Sequence, residues 1–281
     1  MFAHQLCGFV FLALAAIAQA NPPCTAGRQP TSSPRRLRPA LSKAMTIPAG
    51  TTFTPPTAYT RYDRGSGACE GQTEGGDADA VFLLEEGATL SRVVIGANQA
   101  EGVHCLGSCT LDHVYFEDVC EDAITIKQTS ASAISHINFG GAKNADDKII
   151  QHNGAGTVII NSFYAENFGK VYRSCGNCGT QYKRHVQIND LWAVDVRCSP
   201  GSAIAGINTN YGDTATIRTT QVGDVSDICV KYTGNNNGAE PPKIGSGSDS
   251  TVSNVIDVAL ELHSFRIIKN CLYSSSDIKQ L

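Results

Sequence analysis

Methionine and tryptophan are nearly missing: 281 residues contain two Met and one Trp, and charged residues make up only 17%. So little Met excludes a Met-rich, adaptable binding groove. The formal net charge of −4 excludes bulk attraction for nucleic acid, so any anion must be recognised by local basic groups. There is no Gly-x-Ser-x-Gly elbow, which removes serine-nucleophile chemistry. There is no EF-hand loop and no paired-histidine motif. His104, His136, His152 and His185 share no metal-ligand spacing and read as structural. No Asn-x-Ser/Thr acceptor occurs, and the apolar run at residues 9–17 is too short to span a bilayer comfortably.

That short run has another use. Followed by Ala18-Gln19-Ala20, it reads as a secretory signal over residues 1–20, placing the protein outside the cell with no membrane association after cleavage. Cleavage removes Cys7 and leaves ten cysteines, an even number that in a secreted chain reads as a disulfide framework. A redox motif at Cys175-Gly176-Asn177-Cys178, or a zinc site joining that pair to Cys105 and Cys109, is the weaker alternative. Pairing cannot be read from the sequence. Residues 21–45, rich in Pro, Ser and Arg, read as a flexible lead-in, and residues 46–281 as the folded domain. A hydrophobic share of 42% favours a well-buried core over disorder.

From residue 88 a pattern of apolar-x-x-(apolar or Asn/Thr)-x-apolar recurs. It reads Leu90-Val93-Ile95, Leu111-Val114-Phe116, Ile134-Ile137-Phe139, Val158-Asn161-Phe163, Val186-Asn189-Leu191 and Ile217-Thr220-Val222. The first members are 21, 23, 24, 28 and 31 residues apart. Val252 and Val255 begin a partial seventh. Such intervals, with Gly, Asn and Ser between the apolar runs, predict one turn each of a parallel β-helix. A β-sandwich is the main alternative, because short strands alone do not separate the two. Asn161 and Asn189 share a template place and predict a stacked amide ladder inside. Residues 234–250 read as a long loop.

Charged residues recur at matching places in residues 101–173. Glu101, Glu121 and Asp147 lead three successive repeats, and Asp122, Lys148 and Lys170 form a second column one residue later. Stacking would bring residues distant in sequence to about 4.8 Å from one another. Glu101, Glu121, Asp122 and Asp147 are oxygen donors of the kind calcium takes. Asp146 is a further candidate that the sequence does not separate from Asp147. Lys148 is a candidate base if a nearby cation lowers its proton affinity. Lys170 and Arg173 are placed to grip carboxylates, although a straight strand would point them to opposite sides. Lys127 would extend the same groove by one turn.

Six segments carry a family resemblance: IPAGTTF, DAVFLLEEGATLSRVVIGANQAEGVHC, YFEDVCEDA, ADDKIIQHN, FGKVYRSCGNC and AGINTNYGDTA. Over residues 47–275 the chain resembles the secreted pectate lyases of polysaccharide lyase family three. The resemblance implies an all-β, right-handed single-stranded parallel β-helix. It also implies a calcium-dependent, extracellular enzyme, expected to act as a monomer, that cleaves polygalacturonate in pectin by β-elimination. Carried over residue by residue, the calcium ligands fall on Glu101, Glu121, Asp122 and Asp147, and the base falls on Lys148. The substrate-gripping cations fall on Lys170 and Arg173. Glu101 departs from relatives that carry Asp there. A β-helical pectin hydrolase and a pectin-binding protein without turnover are the alternatives.

Overall fold

The computed structural model describes residues 40–197, 200–249 and 269–281. The expected signal, most of the lead-in, Cys24, Cys198 and the partial repeat at Val252 lie outside the described residues.

Each coil of the chain contributes up to three strands, and successive coils pair in parallel, giving three ladders that run side by side along one axis. The first passes through Met45–Ile47, Ala80–Leu84, Glu101–Cys105 and Asp122–Ile126. It continues through the ends of Gly141–His152 and Gly156–Ser174 to Ala203–Asn208 and Asp227–Tyr232. The second includes Ala88–Ser91, Cys109–Asp112, Ile134–Asn138, the starts of Gly156–Ser174 and Arg184–Val194, and Thr214–Arg218. The third includes Thr60–Tyr62, Val93–Ile95, Tyr115–Phe116 and Thr220–Gly223, with the intervening stretches of the three long strands. This is the expected parallel β-helix. A sandwich is excluded, since antiparallel pairing among the described residues is confined to residues 230–232 against Lys243–Ser246. That short strand interrupts the stretch expected to be all loop.

The core consists of rows rather than layers. Phe82, Val103, Ile124, Ile150, Tyr172 and Ala205 stack in register, every one fully buried. A second row runs Leu90, Leu111, Ile137, Ile160, Ile188, Ile217. Each large apolar member contributes about 1.5–3 kcal/mol of burial. The second row corrects the repeat. The first, second and last repeats are in register as read, but Ile137, not Ile134, stacks on Leu111. Ile134 and Phe139 are about half exposed. The fourth and fifth repeats are displaced by two residues, since Ile160 and Ile188 hold the places expected for Val158 and Val186.

Between the second and third ladders each coil turns on one residue of left-handed backbone: Tyr59, Arg92, His113, Phe139, Ser162, Asp190 and Thr219, all with φ of 50–61°. For non-glycine residues this costs about 1–2 kcal/mol each. An amide ladder beside the corner offsets part of it. Asn161 Nδ2 donates to Asn138 Oδ1 at 2.9 Å, and Asn189 Nδ2 to Asn161 Oδ1 at 3.0 Å. The predicted ladder therefore exists, with Asn138 as a third member, but it stands half-buried at a corner rather than inside.

Four disulfides join the described cysteines: Cys69–Cys120, Cys105–Cys109, Cys175–Cys178 and Cys229–Cys271. The zinc alternative therefore gives way, since Cys105–Cys109 and Cys175–Cys178 are each bridged, and the expected disulfide framework is present. Cys229–Cys271 ties the first ladder to the second near the C-terminal end, where Cys271 stacks on Ala215.

Candidate active site

The first ladder carries a column of charged residues in register. Ala80, Glu101, Asp122, Lys148, Lys170 and Ala203 follow one another in register. Glu101 thus stands in line with Asp122 and Lys148, one place from where the sequence put it. Glu121 sits just before this column, with its N–H donating to Ala100 O at 3.1 Å.

A bulge sets the aim of the central residues. Ala145 pairs with Phe168 and Lys148 with Lys170, so Asp146 and Asp147 stand against Gly169 alone. Two residues opposite one bend a strand and redirect its side chains. The bulge separates the two aspartates. Asp146 turns outward to an ion pair with Arg197 at 2.5 Å, while Asp147 lines a cleft of about 290 Å³.

Lys148 Nζ lies at the centre. It contacts the Asp147 carboxylate closely and lies 3.4 Å from Glu121 Oε1 and 3.5 Å from Asp122 Oδ1. Burial works against its charge, but Asp122, Asp147 and Glu121 outweigh this and push its pKa up. The carboxylates respond the other way. Burial, with Glu101 and Glu74 nearby, lifts Glu121 to about 7 despite Lys148. Burial likewise raises Asp122 well above the usual carboxylate range. Glu121 Oε2 and Asp122 Oδ1 are buried without a hydrogen-bond partner.

Those two oxygens bear on calcium. The side chains of Glu121, Asp122 and Asp147 share one ammonium, and two of their oxygens have unused lone pairs, which is hard-oxygen chemistry that fits a divalent cation. Among the described residues no three acidic, His or Cys side chains converge as a ready-made metal centre. Lys148 Nζ instead lies within 3.5 Å of all three carboxylates. Glu101 is differently placed. It is buried, Oε1 accepts from Gly75 N–H at 3.1 Å, and Oε2 lies 3.1 Å from His104 Nε2. His104 in turn reaches Asp77 at 2.7 Å. Lys127 is also drawn to Asp77, at 2.5 Å, and does not line the cleft.

Lys170 and Arg173 do line it together. The objection from strand alternation is met by Gly206 on the next coil: a Cβ there would lie 2.9 Å from Arg173 Cδ and 3.5 Å from Lys170 Cδ, so both chains pass over one bare spot. Neither forms an ion pair with a described carboxylate. Burial lowers the proton affinity of Lys170, and Arg173 and Lys148 lower it further. Arg173 lies over the Tyr232 ring, its Cζ 3.8 Å from the centroid, and donates to Asn208 Oδ1 at 3.3 Å.

Sequence reasoning missed Glu74, Gln151, Tyr232 and Glu240, all of which line the cleft. Glu74 and Gln72 arrive on the loop clipped by Cys69–Cys120, where Gln72 Nε2 donates to Cys120 O at 2.6 Å. Gln151 Oε1 is a further buried oxygen without a hydrogen-bond partner. The histidines have structural partners where these are defined: His152, fully buried, meets Tyr172 at 2.8 Å, and His185 meets Thr214 at 2.6 Å.

Comparison with known proteins gives the family. The pectate lyase family model matches residues 29–239. Among curated relatives, probable pectate lyase F of Aspergillus terreus is 54% identical over 204 residues, 73% of this chain and 84% of that protein. Pectate lyase E of Emericella nidulans is 55% identical over 190 residues, 67% of this chain and 72% of that one. Among solved structures, pectate lyase PelI of Erwinia chrysanthemi in complex with tetragalacturonic acid aligns with a TM-score of 0.61 at 26% identity, covering 84% of this chain and 69% of that one. Pel3 of Pectobacterium carotovorum aligns with a TM-score of 0.62 at 25% identity, covering 89% and 74%.

Proposed function

The chain belongs to the pectate lyase family and is a pectate lyase, and from that premise we propose that it is secreted and cleaves polygalacturonate by calcium-dependent β-elimination, with Lys148 as base. The observation that carries the substrate reading is the pair Lys170 and Arg173. Two largely desolvated cations, free of ion pairs with described carboxylates and facing one cleft, leave their charge for an incoming polyanion. Arg173 presents a planar fork suited to a carboxylate, and the Tyr232 ring and Asn208 help to hold it in place.

Glu121, Asp122 and Asp147 would hold the calcium. When bound there, the ion supplies positive charge beside the sugar carboxylate and steadies the enolate formed as C5 loses its proton. The chain's own groups do the rest. Lys148 would act as the free amine, its own ammonium proton first lost to solvent, and would then take the C5 hydrogen. The C5 electron pair becomes the C4–C5 double bond, and the C4–O bond breaks. The departing oxygen takes a proton from water at the cleft mouth. Lys170 and Arg173 keep the neighbouring carboxylates in line, so that the hydrogen faces Lys148.

One observation favours a second assignment of the base. Without metal, Lys170 has its proton affinity lowered, whereas that of Lys148 is raised. Lys170 would then abstract the proton and Lys148 would remain a counter-ion. The overall reading is tested by incubating the protein with polygalacturonate in calcium and in chelator, following the ultraviolet absorbance of 4,5-unsaturated product. Absorbance that grows only with calcium is expected. New reducing ends without absorbance would mean hydrolysis, and polymer retention without either would mean a binder.

A further inference from the structure

Away from the cleft, the outer side of the third ladder carries a row of aromatic side chains that the lyase reaction does not use. Tyr115, Gly141, Tyr164, Trp192 and Gln221 occupy consecutive rungs of one column. Trp192 and Phe139 are 48% and 49% exposed. Phe139 stands at the corner beside the column and stacks on His113, with centroids 5.0 Å apart and planes 28° from parallel. Together these side chains wall a groove of about 440 Å³. A soluble β-helix has no structural need for large rings on a solvent face, and contiguous apolar patches on such a face mark contact sites.

Gly140 lines the groove, and the aromatic column beside it is interrupted at the next residue. Gly141 is the rung between the two tyrosines, and a Cβ there would come within 3.0 Å of Tyr164 O and 3.5 Å of Tyr115 Cδ1. The column is therefore bare backbone at that rung, with rings on either side. From Tyr115 to Trp192 is three rungs, roughly 14 Å at strand spacing. That length holds a short run of rings laid along the axis.

Charge selects the occupant. The groove is lined by one carboxylate, Asp190, and by no Lys or Arg. The nearby Lys143 is engaged by Glu166 at 2.9 Å and lies 5.7 Å from the Tyr164 ring centroid. A polyanion held here would find no Lys or Arg among the lining residues and one opposing charge, the reverse of the cation pair in the cleft. Ser162 Oγ donates to Asp190 Oδ2 at 2.7 Å, which leaves the other Asp190 oxygen as an acceptor and the Gln221 amide as donor and acceptor, the kind of partners that hydroxyl groups use. We propose that this face is a second, non-catalytic carbohydrate site that binds a neutral polysaccharide, its pyranose rings stacked on Trp192, Tyr164 and Phe139. Such a site would hold the enzyme on the uncharged glycans of a plant wall while the cleft works on the charged one.

The test is affinity electrophoresis of the full chain in chelator, so that turnover is silent. One gel contains soluble hydroxyethyl cellulose, one neutral β-1,4-galactan, one polygalacturonate and one no polymer. Retardation by at least one neutral glycan is expected, and the two neutral gels tell which linkage is preferred. The double variant Trp192→Ala/Phe139→Ala should lose roughly tenfold in that affinity, the sum of two modest ring contacts. Its turnover of polygalacturonate in calcium should be unchanged, which also reports that it folds. Three results would overturn the proposal: no retardation of the wild type by either neutral glycan, retardation equal in the double variant, or wild-type self-association in sedimentation that the double variant abolishes.

Discussion

Gly169 is the residue against which the bulge closes, and replacing it with alanine tests whether the bulge aims the site. A Cβ at this position would lie 2.4 Å from Asp147 O and 2.7 Å from Asp146 O, where real Cβ contacts essentially never fall below 3.0 Å. Both opposing atoms are backbone, so no side chain can swing aside. The strand carrying Asp147 must move by at least 0.6 Å to go from 2.4 to 3.0 Å. Overpacking of this kind costs about 1–3 kcal/mol. The displacement falls on Asp147 and Lys148, and misplacement approaching 1 Å costs on the order of 100-fold in rate. Gly179 is the internal control, because a Cβ there would meet nothing within 4 Å and its backbone is not left-handed. Thermal unfolding and initial rates of product absorbance, measured for Gly169→Ala and Gly179→Ala, give the answer. Rate and melting temperature of Gly169→Ala equal to those of Gly179→Ala would refute the role given to the bulge.

Two further predictions follow from the cleft. Arg173→Lys removes the planar fork and its stacking on Tyr232 while keeping a charge. kcat/KM on polygalacturonate should drop about tenfold or more with little change in melting temperature, and an unchanged value would show that only net charge matters. In chelator, Glu121 binds its proton more tightly folded, at about 7, than unfolded, near 4.5. The stability it contributes is complete below about 4.5 and is lost as pH rises through about 7, so the melting temperature of the metal-free protein should fall across that window. Glu121→Gln should flatten this part of the profile, and calcium affinity should weaken as pH drops below about 7; a metal-free profile that rises with pH would contradict the assignment.

The fold is largely legible in the sequence because burial repeats. The stacking of Leu90 on Leu111, the place of Ile217, and the Asn161–Asn189 pair all follow from residue type at recurring intervals. The register of the third repeat is not legible, since Ile134, Ile137 and Phe139 are all apolar and only Ile137 points inward. Apolar character alone does not separate a core residue from an exposed ring that faces solvent. The candidate site shows the same limit. Glu121, Asp122, Asp147, Lys148 and Lys170 stand out by their recurrence and Arg173 by its spacing from Lys170, and the structure brings them together. The bulge that divides Asp146 from Asp147 depends on pairing with Gly169 and has no local signature. Glu74 depends on which cysteines pair, and Tyr232 on a coil two turns later in the stack; neither is encoded near the residues it serves. Lys127 and Glu101 look equivalent to their neighbours in sequence, yet Asp77 engages the first and Gly75 and His104 the second.

The central claim is that Lys148 takes the proton within a ring of calcium-binding carboxylates. Initial rates of product absorbance at saturating calcium, compared among wild type, Lys148→Ala and Lys170→Ala, test it most directly. The account predicts that Lys148→Ala abolishes product formation while Lys170→Ala weakens it, chiefly through KM. Turnover by Lys148→Ala at the wild-type rate, or loss of kcat in Lys170→Ala alone, would contradict it.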